Sequence, residues 1–271
     1  ILTSLPLYIS SDSFTYNSYN NGGAIGLINM PTARFYNESS YGMTLYNGKP
    51  DQKITFTSSP YDWLEASFFY ANIKEKPYCN VPSDPVCSQS YKDKGFNFKI
   101  KLKDEGKLPA LAIGINDIAG TGLYGSEYIV ASYGIKNIDF HFGLGWGKLN
   151  GSDFSFENPF AKISKEFLNR PPEIRGGGQF EVSRYFSGER ASPFFGISYA
   201  PNDRYLIKLE HDSTLTPGQI GYELPAQRYS YGIDFNLTNN FTIGISNERG
   251  NSTTIRFSYK NNPKVSRPRY V

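Results

Sequence analysis

The chain has 271 residues, with 28 basic against 25 acidic side chains and a mean hydropathy of −0.46. That near balance of charge points away from a nucleic-acid partner, and no stretch approaches the roughly 18 apolar residues that a spanning helix needs. Aromatic residues make up 16% of the chain, with 21 Tyr and 20 Phe. A Tyr- and Phe-rich, weakly hydrophobic chain of this length suits a single large all-β domain, and a membrane barrel hides its apolar content in alternation.

The first 23 residues are polar, without helical period, and read as an irregular N-terminal arm. The sequence given starts at Ile1, without Met or a signal peptide, which leads to the expectation of a processed form. From residue 24 to 260 period-2 runs recur, and the closing segment 261–271 is a short basic tail with two prolines. The apolar faces begin with Met43 and Leu45, Ile54 and Phe56, then Leu64 to Tyr70. Phe96 to Leu102 and Leu111 to Ile115 follow, then a run over 126–133 whose phase is ambiguous. Residues 138–147, "IDFHFGLGWG", alternate large apolar residues with Asp139, His141 and three glycines. Successive strand side chains point to opposite faces, so this segment has one greasy face and one polar, partly bare face. The glycines leave room on the bare face for a bulky neighbour or a plugging segment. Further runs start at Phe180, Phe195, Tyr205, Tyr229, Phe241 and Thr253.

About thirteen such runs can be traced, and a single-chain bacterial barrel takes an even number, so twelve and fourteen strands both fit. "GAIGLINMP" is a candidate for one more. Short connections alternate with long ones over 72–94, 148–178 and 211–228, and aromatics gather at strand ends, both habits of outer-membrane barrels. Within "NPFAKISKEFLNRPP", Phe160, Ile163, Phe167 and Leu168 fall on one helical face, which predicts a short amphipathic helix in the long loop. The expected fold is therefore an all-β transmembrane antiparallel barrel of about 12–14 strands. By the scaling of diameter with strand number, its lumen is narrow or filled.

The alternate, polar positions are the lumen-facing candidates: Glu65, Lys99, Lys101, Asp139, His141, Lys208, Glu210, Asp234 and Arg256. Charges of both signs suit hydrogen bonding to a hydroxyl-rich cargo better than ion selectivity. His141 and His211 are the only histidines. A Ser213/His211/Asp212 triad can be written on paper, but neighbouring strand residues point apart. Cys79 and Cys87 bracket a loop rich in Pro and Ser with no histidine nearby, so a disulfide is expected rather than a metal site. No cofactor is implied.

Several blocks resemble the YjbH-like family of Gram-negative outer-membrane proteins, including the GfcD type found with group 4 capsule operons. They are "GGAIGLINMPTARF" (22–35), "SPYDWLEASFFYAN" (59–72), 108–149, "NPF" (158–160) and "GGGQFEVSRYFSGERASPFFGISY" (176–199), in that order, and "DIAGTGLYGSEY" (117–128) is the most specific. The resemblance implies an outer-membrane barrel linked to exopolysaccharide or capsule export or surface assembly. It implies outer-membrane lipid as surroundings, with polysaccharide and other envelope or surface proteins as partners; the expected role is non-enzymatic. Asp117, Thr121, Glu127 and Tyr128 are its candidate functional positions, although Asp117 and Thr121 equally suit turn hydrogen bonds. The alternatives are a filled barrel acting as a structural anchor and, less favoured, a barrel enzyme using His141.

Overall fold

The computed structural model describes residues 16–78, 89–172, 177–215 and 227–265. Cys79 and Cys87 lie outside the described residues. Seven strands lead the chain: β1 (Ser40–Asn47), β2 (Asp51–Tyr61), β3 (Leu64–Pro77), β4 (Ser90–Lys103), β5 (Ala110–Ile118), β6 (Ser126–Ile135) and β7 (Ile138–Gly147). A two-residue piece, β8 (Phe156–Glu157), precedes β9 (Arg190–Tyr199), β10 (Tyr205–His211), β11 (Tyr229–Asn236), β12 (Phe241–Glu248) and β13 (Ser252–Asn261). Every neighbouring pair is antiparallel, β7 pairs β9, and β13 pairs β1 from Tyr41↔Asn261 to Asn47↔Ile255. With β8 only an appendage on β9, the wall is a closed barrel of twelve strands and has no free edge.

The thirteenth run of the sequence resolves the parity. Residues around Phe180 do not join the wall: Val182–Arg184 is a single 3-10 turn, and Phe180 lies exposed. The wall begins at Ser40, so "GAIGLINMP" is not a strand either. Among the described residues of the 148–178 connection, the expected amphipathic helix is also absent. Two 3-10 turns stand there, Pro159–Lys162 capped by the Asn158 side chain and Lys165–Leu168 capped by Ser164. Each cap supplies a local partner for a free N–H and restarts the chain, which breaks the period before a full helical turn can repeat.

Alternation sets the two faces of the wall. Phe56, Phe98, Phe140, Ile207, Ile233 and Ile245 point outward and are exposed, while Thr55, Lys99, Asp139, Lys208 and Asp234 point inward and are buried. The connections at one end are short (62–63, 104–109, 136–137, 200–204 and 237–240), and the chain enters and leaves the wall there. The long connections gather at the other end. Around the short-turn end runs a belt of exterior aromatics, with Tyr61 stacked on Trp63, Tyr205 against Phe235 and Phe241 against Tyr259. Amphipathic rings of this kind suit a membrane–water boundary.

The ambiguous phase of 126–133 has a physical source. Ile129 and Ala131 face outward, yet Tyr128 and Val130 are buried inside, because β6 also forms one wall of an internal apolar core. That core joins Leu27, Met30 and Ala33 to Ala110, Ala112, Tyr128, Val130, Leu149 and Phe194. Its first three members come from the segment before β1, which occupies the lumen.

Candidate functional site

Residues 16–39 enter the barrel and form a plug. Part of its backbone is self-bonded, in tight reversals such as Asn20 N–H to Ala24 O at 2.7 Å and Leu27 N–H to Met30 O at 2.8 Å, and across the segment from Asn21 N–H to Ile28 O at 2.7 Å and from Gly26 N–H to Ser18 O at 3.1 Å. The remaining backbone groups of a buried, irregular segment need other partners, since each unpaired one is costly. The lumen supplies them with charged side chains. Glu210 accepts three successive N–H groups, from Ile28 and Asn29 at 2.9 Å and from Met30 at 3.1 Å. Lys208 donates to the carbonyls of Gly26 (3.0 Å) and Leu27 (2.7 Å) and pairs with Asp234 at 2.9 Å. On the opposite wall Glu65 accepts the Ile25 N–H, and Lys99 pairs with Glu65 at 3.2 Å while donating to Ile25 O and Arg34 O.

The other lumen candidates fall on the same network. Asp139 takes the Arg34 guanidinium in two bonds of 2.7 and 2.6 Å, and Arg34 also pairs with Glu105. Asp234 accepts from Ser18 and pairs with Arg256, which donates in turn to the side chain of Asn21 at 2.9 Å. Lys101 sits at the short-turn mouth, paired with the exposed Asp104 and 5.5 Å from the ring centre of the plug residue Phe35. His141 has Ser132 Oγ at 2.8 Å from Nδ1, and that hydroxyl accepts the Ala33 N–H. His211 lies buried on the outer face of the wall, stacked on Phe195 and against Tyr229 and Phe154, whereas the Ser213 hydroxyl turns inward to Met30 Sδ.

The glycines of "IDFHFGLGWG" do leave room for inward neighbours. A Cβ on Gly143 would stand 2.1 Å from the Phe194 ring and one on Gly145 would stand 2.4 Å from Leu149. Gly147 closes the strand at φ +61°, a left-handed conformation that a side chain disfavours.

The family-motif positions divide. Asp117 accepts the Tyr124 N–H, and Thr121 donates to Asp93 and accepts the Leu123 N–H, so both build the 119–125 loop. Glu127 opposes Trp146 on the outward face of the wall, yet both are buried, because Phe160, Arg170 and Phe186 of the connection after β7 fold down over them. Arg170 grips Glu127 in two bonds of 2.7 and 3.0 Å, while Phe160 and Phe186 pack on the indole. Tyr128 points inward and reaches the space above the plug.

That space is a cup of about 120 Å³ with its mouth among the long loops. Its floor is plug: Asn20, Asn21, Gly22 and Asn29. Its wall mixes the amides of Asn97 and Asn116 with the rings of Tyr46, Phe69, Tyr124 and Tyr128. Tyr124 donates to Asp51 at 2.6 Å, and Lys53 lies 4.0 Å from the centre of its ring. Burial pushes the Tyr124 phenol well above its ordinary value and the Asp51 carboxylate adds to the shift, so it remains a donor at neutral pH. Among the described residues no group of three or more His, Cys, Asp or Glu is placed to hold a metal.

Sequence reasoning found the lumen charges but missed Arg34, Asn21, Asn29 and Glu248. Glu248 accepts from Asn21, Asn29 and Tyr46, and it closes β12 just where alternation gives way to the turn. The plug residues carry no period; the available signal was the density of apolar residues and glycines in "GGAIGLINMPTARF".

Comparison with known proteins adds a family. Residues 18–270 match the family described as "Exopolysaccharide biosynthesis protein YbjH". The chain is 30% identical over 256 residues to the uncharacterized lipoprotein YjbH of Escherichia coli strain K12, a match that covers 93% of this chain and 36% of that protein. This chain therefore spans about a third of the length of that relative. Among solved structures it is similar to a KdgM porin (8% identity, TM-score 0.42, 82% of this chain and 97% of that one). It is also similar to Omp33 of Acinetobacter baumannii (10% identity, TM-score 0.35, 82% and 96%).

Proposed function

Since the chain belongs to the YjbH family of exopolysaccharide-biosynthesis proteins, we propose that it is an outer-membrane barrel acting in the export or surface assembly of an exopolysaccharide. In this role it holds the polymer and does not conduct it freely. The observation that carries this reading is the plug: the lumen charges that would line an open conduit are spent on the backbone of residues 16–39. The membrane setting is supported by the closed wall, its apolar exterior and the aromatic belt, and the short-turn end would then face the periplasm. Polymer export through this barrel would require the plug to leave, whereas anchoring of polymer or of a surface assembly would not. No catalytic chemistry is assigned, in keeping with a Ser132–His141 contact that is buried behind the plug.

The test is made in cells. Deleting the protein and measuring polymer on the cell surface and in the medium separates the two roles. Polymer lost from the surface but still released supports holding, and polymer lost from both supports export. Unchanged polymer in both places would overturn the reading.

A further inference from the structure

We infer that the cup above the plug is a binding site for an acidic saccharide segment entering from the long-loop end. This rests on the exopolysaccharide reading and deepens it by naming a site and a charge class.

The lining has the two group types that sugars need. Fixed amides and hydroxyls can exchange hydrogen bonds with ring hydroxyls, and aromatic faces can take the apolar C–H face of a pyranose. The floor amides are not loose: Asn21 donates to Glu248 at 2.7 Å, and Asn29 donates to Asp212 and Glu248 at 2.8 and 2.9 Å. Such held groups bind with little loss of side-chain freedom. The cup is also closed below, so a chain end or a short segment fits it better than a passing strand.

Charge gives the class. Lys49, Lys53, Lys148 and Arg249 line the cup against two carboxylates, Asp51 and Glu248. Both carboxylates are already engaged, Asp51 by Lys53 at 3.1 Å and by Tyr124, and Glu248 by Arg249 at 3.8 Å, Tyr46 and the floor amides; Arg249 also reaches Asp212 at 3.7 Å, and with Asp212 counted the cations still outnumber the carboxylates by one. Lys49 is exposed in the turn between β1 and β2. The excess of cations at the mouth attracts carboxylate-bearing sugars and gives neutral ones no advantage.

The experiment is calorimetric titration of the whole chain, folded in detergent micelles, with three probes: a linear uronic-acid trisaccharide, maltotriose and inorganic phosphate. The acidic trisaccharide is expected to bind saturably, and the other two are not expected to compete with it. Lys49→Glu reverses one mouth charge and should weaken the acidic probe about tenfold. Gly22→Trp should abolish binding, because its ring fills the cup from the floor and its Cβ meets only Asn20 Oδ1, at 3.3 Å. Each variant is first shown to keep the wild-type circular dichroism; if Gly22→Trp does not fold, Lys49→Glu alone decides.

Equal affinity for maltotriose overturns the acidic assignment, and full competition by phosphate reduces the cup to a simple anion site. Wild-type affinity in Gly22→Trp or Lys49→Glu, or no saturable binding at all, overturns the cup as a saccharide site. None of these results touches the cell-surface polymer measurement, so the broader reading and this one fail separately.

Discussion

At the residue scale, one lysine shows how the lumen charges are used. Lys208 is fully buried, and its ammonium satisfies two plug carbonyls and Asp234 together. Lys208→Met would strip all three of a partner at once. Removing one member of a buried ion pair typically costs about 3–5 kcal/mol, and Asp234 keeps Arg256, so the lower part of that range is expected in urea unfolding. Gly143 tests the opposite kind of requirement, for empty space. Gly143→Val would collide with the Phe194 ring and should destabilise the barrel by about 1–3 kcal/mol, read in the same unfolding experiment. The inward direction of Lys208, Glu210 and Asp234 was legible in the sequence because strand alternation is strict. Their partners were not legible, since the plug contributes backbone N–H and C=O groups, which every residue has and which leave no mark in composition.

At the element scale, two segments that the sequence marks as a candidate strand and a helix are irregular, and each has a task of its own. The 16–39 plug fills the barrel through charged side chains bonded to its backbone and through an apolar seam at Leu27 and Met30. The long connection after β7, expected to carry a helix, instead lies with its described residues against the outside of β6 and β7, pinned by Arg170 to Glu127 and by Phe160 to Trp146. Periodicity misled there because Phe160, Ile163, Phe167 and Leu168 do share a helical spacing, but the Asn158 and Ser164 caps win locally. Arg170→Gln leaves the buried Glu127 without its bidentate partner and should release this cap while the wall stays closed. Limited proteolysis in micelles should then cleave within 158–188 of the variant much faster than in the wild type. Equal cleavage rates would show that the aromatic contacts on Trp146 suffice to hold it.

At the scale of the whole molecule, twelve antiparallel strands close through β1 and β13, and what they enclose is filled from the short-turn end and cupped at the other. The count was ambiguous by one run, because Phe180 and Val182 alternate as a strand would but find no neighbouring edge to pair with. Outward faces, the division into short and long connections, and the aromatic ends all followed from period and turn composition. The filled state did not follow, because narrowness from strand number permits a plug without identifying its residues. The most direct measurement is ion conductance of the purified chain in a planar lipid bilayer, with insertion confirmed independently by protease protection. A plugged lumen predicts silent insertion for the wild type, and ion conductance on combining Lys208→Met with Glu210→Gln to loosen the plug. Steady conductance from the inserted wild-type chain would contradict a barrel closed by residues 16–39.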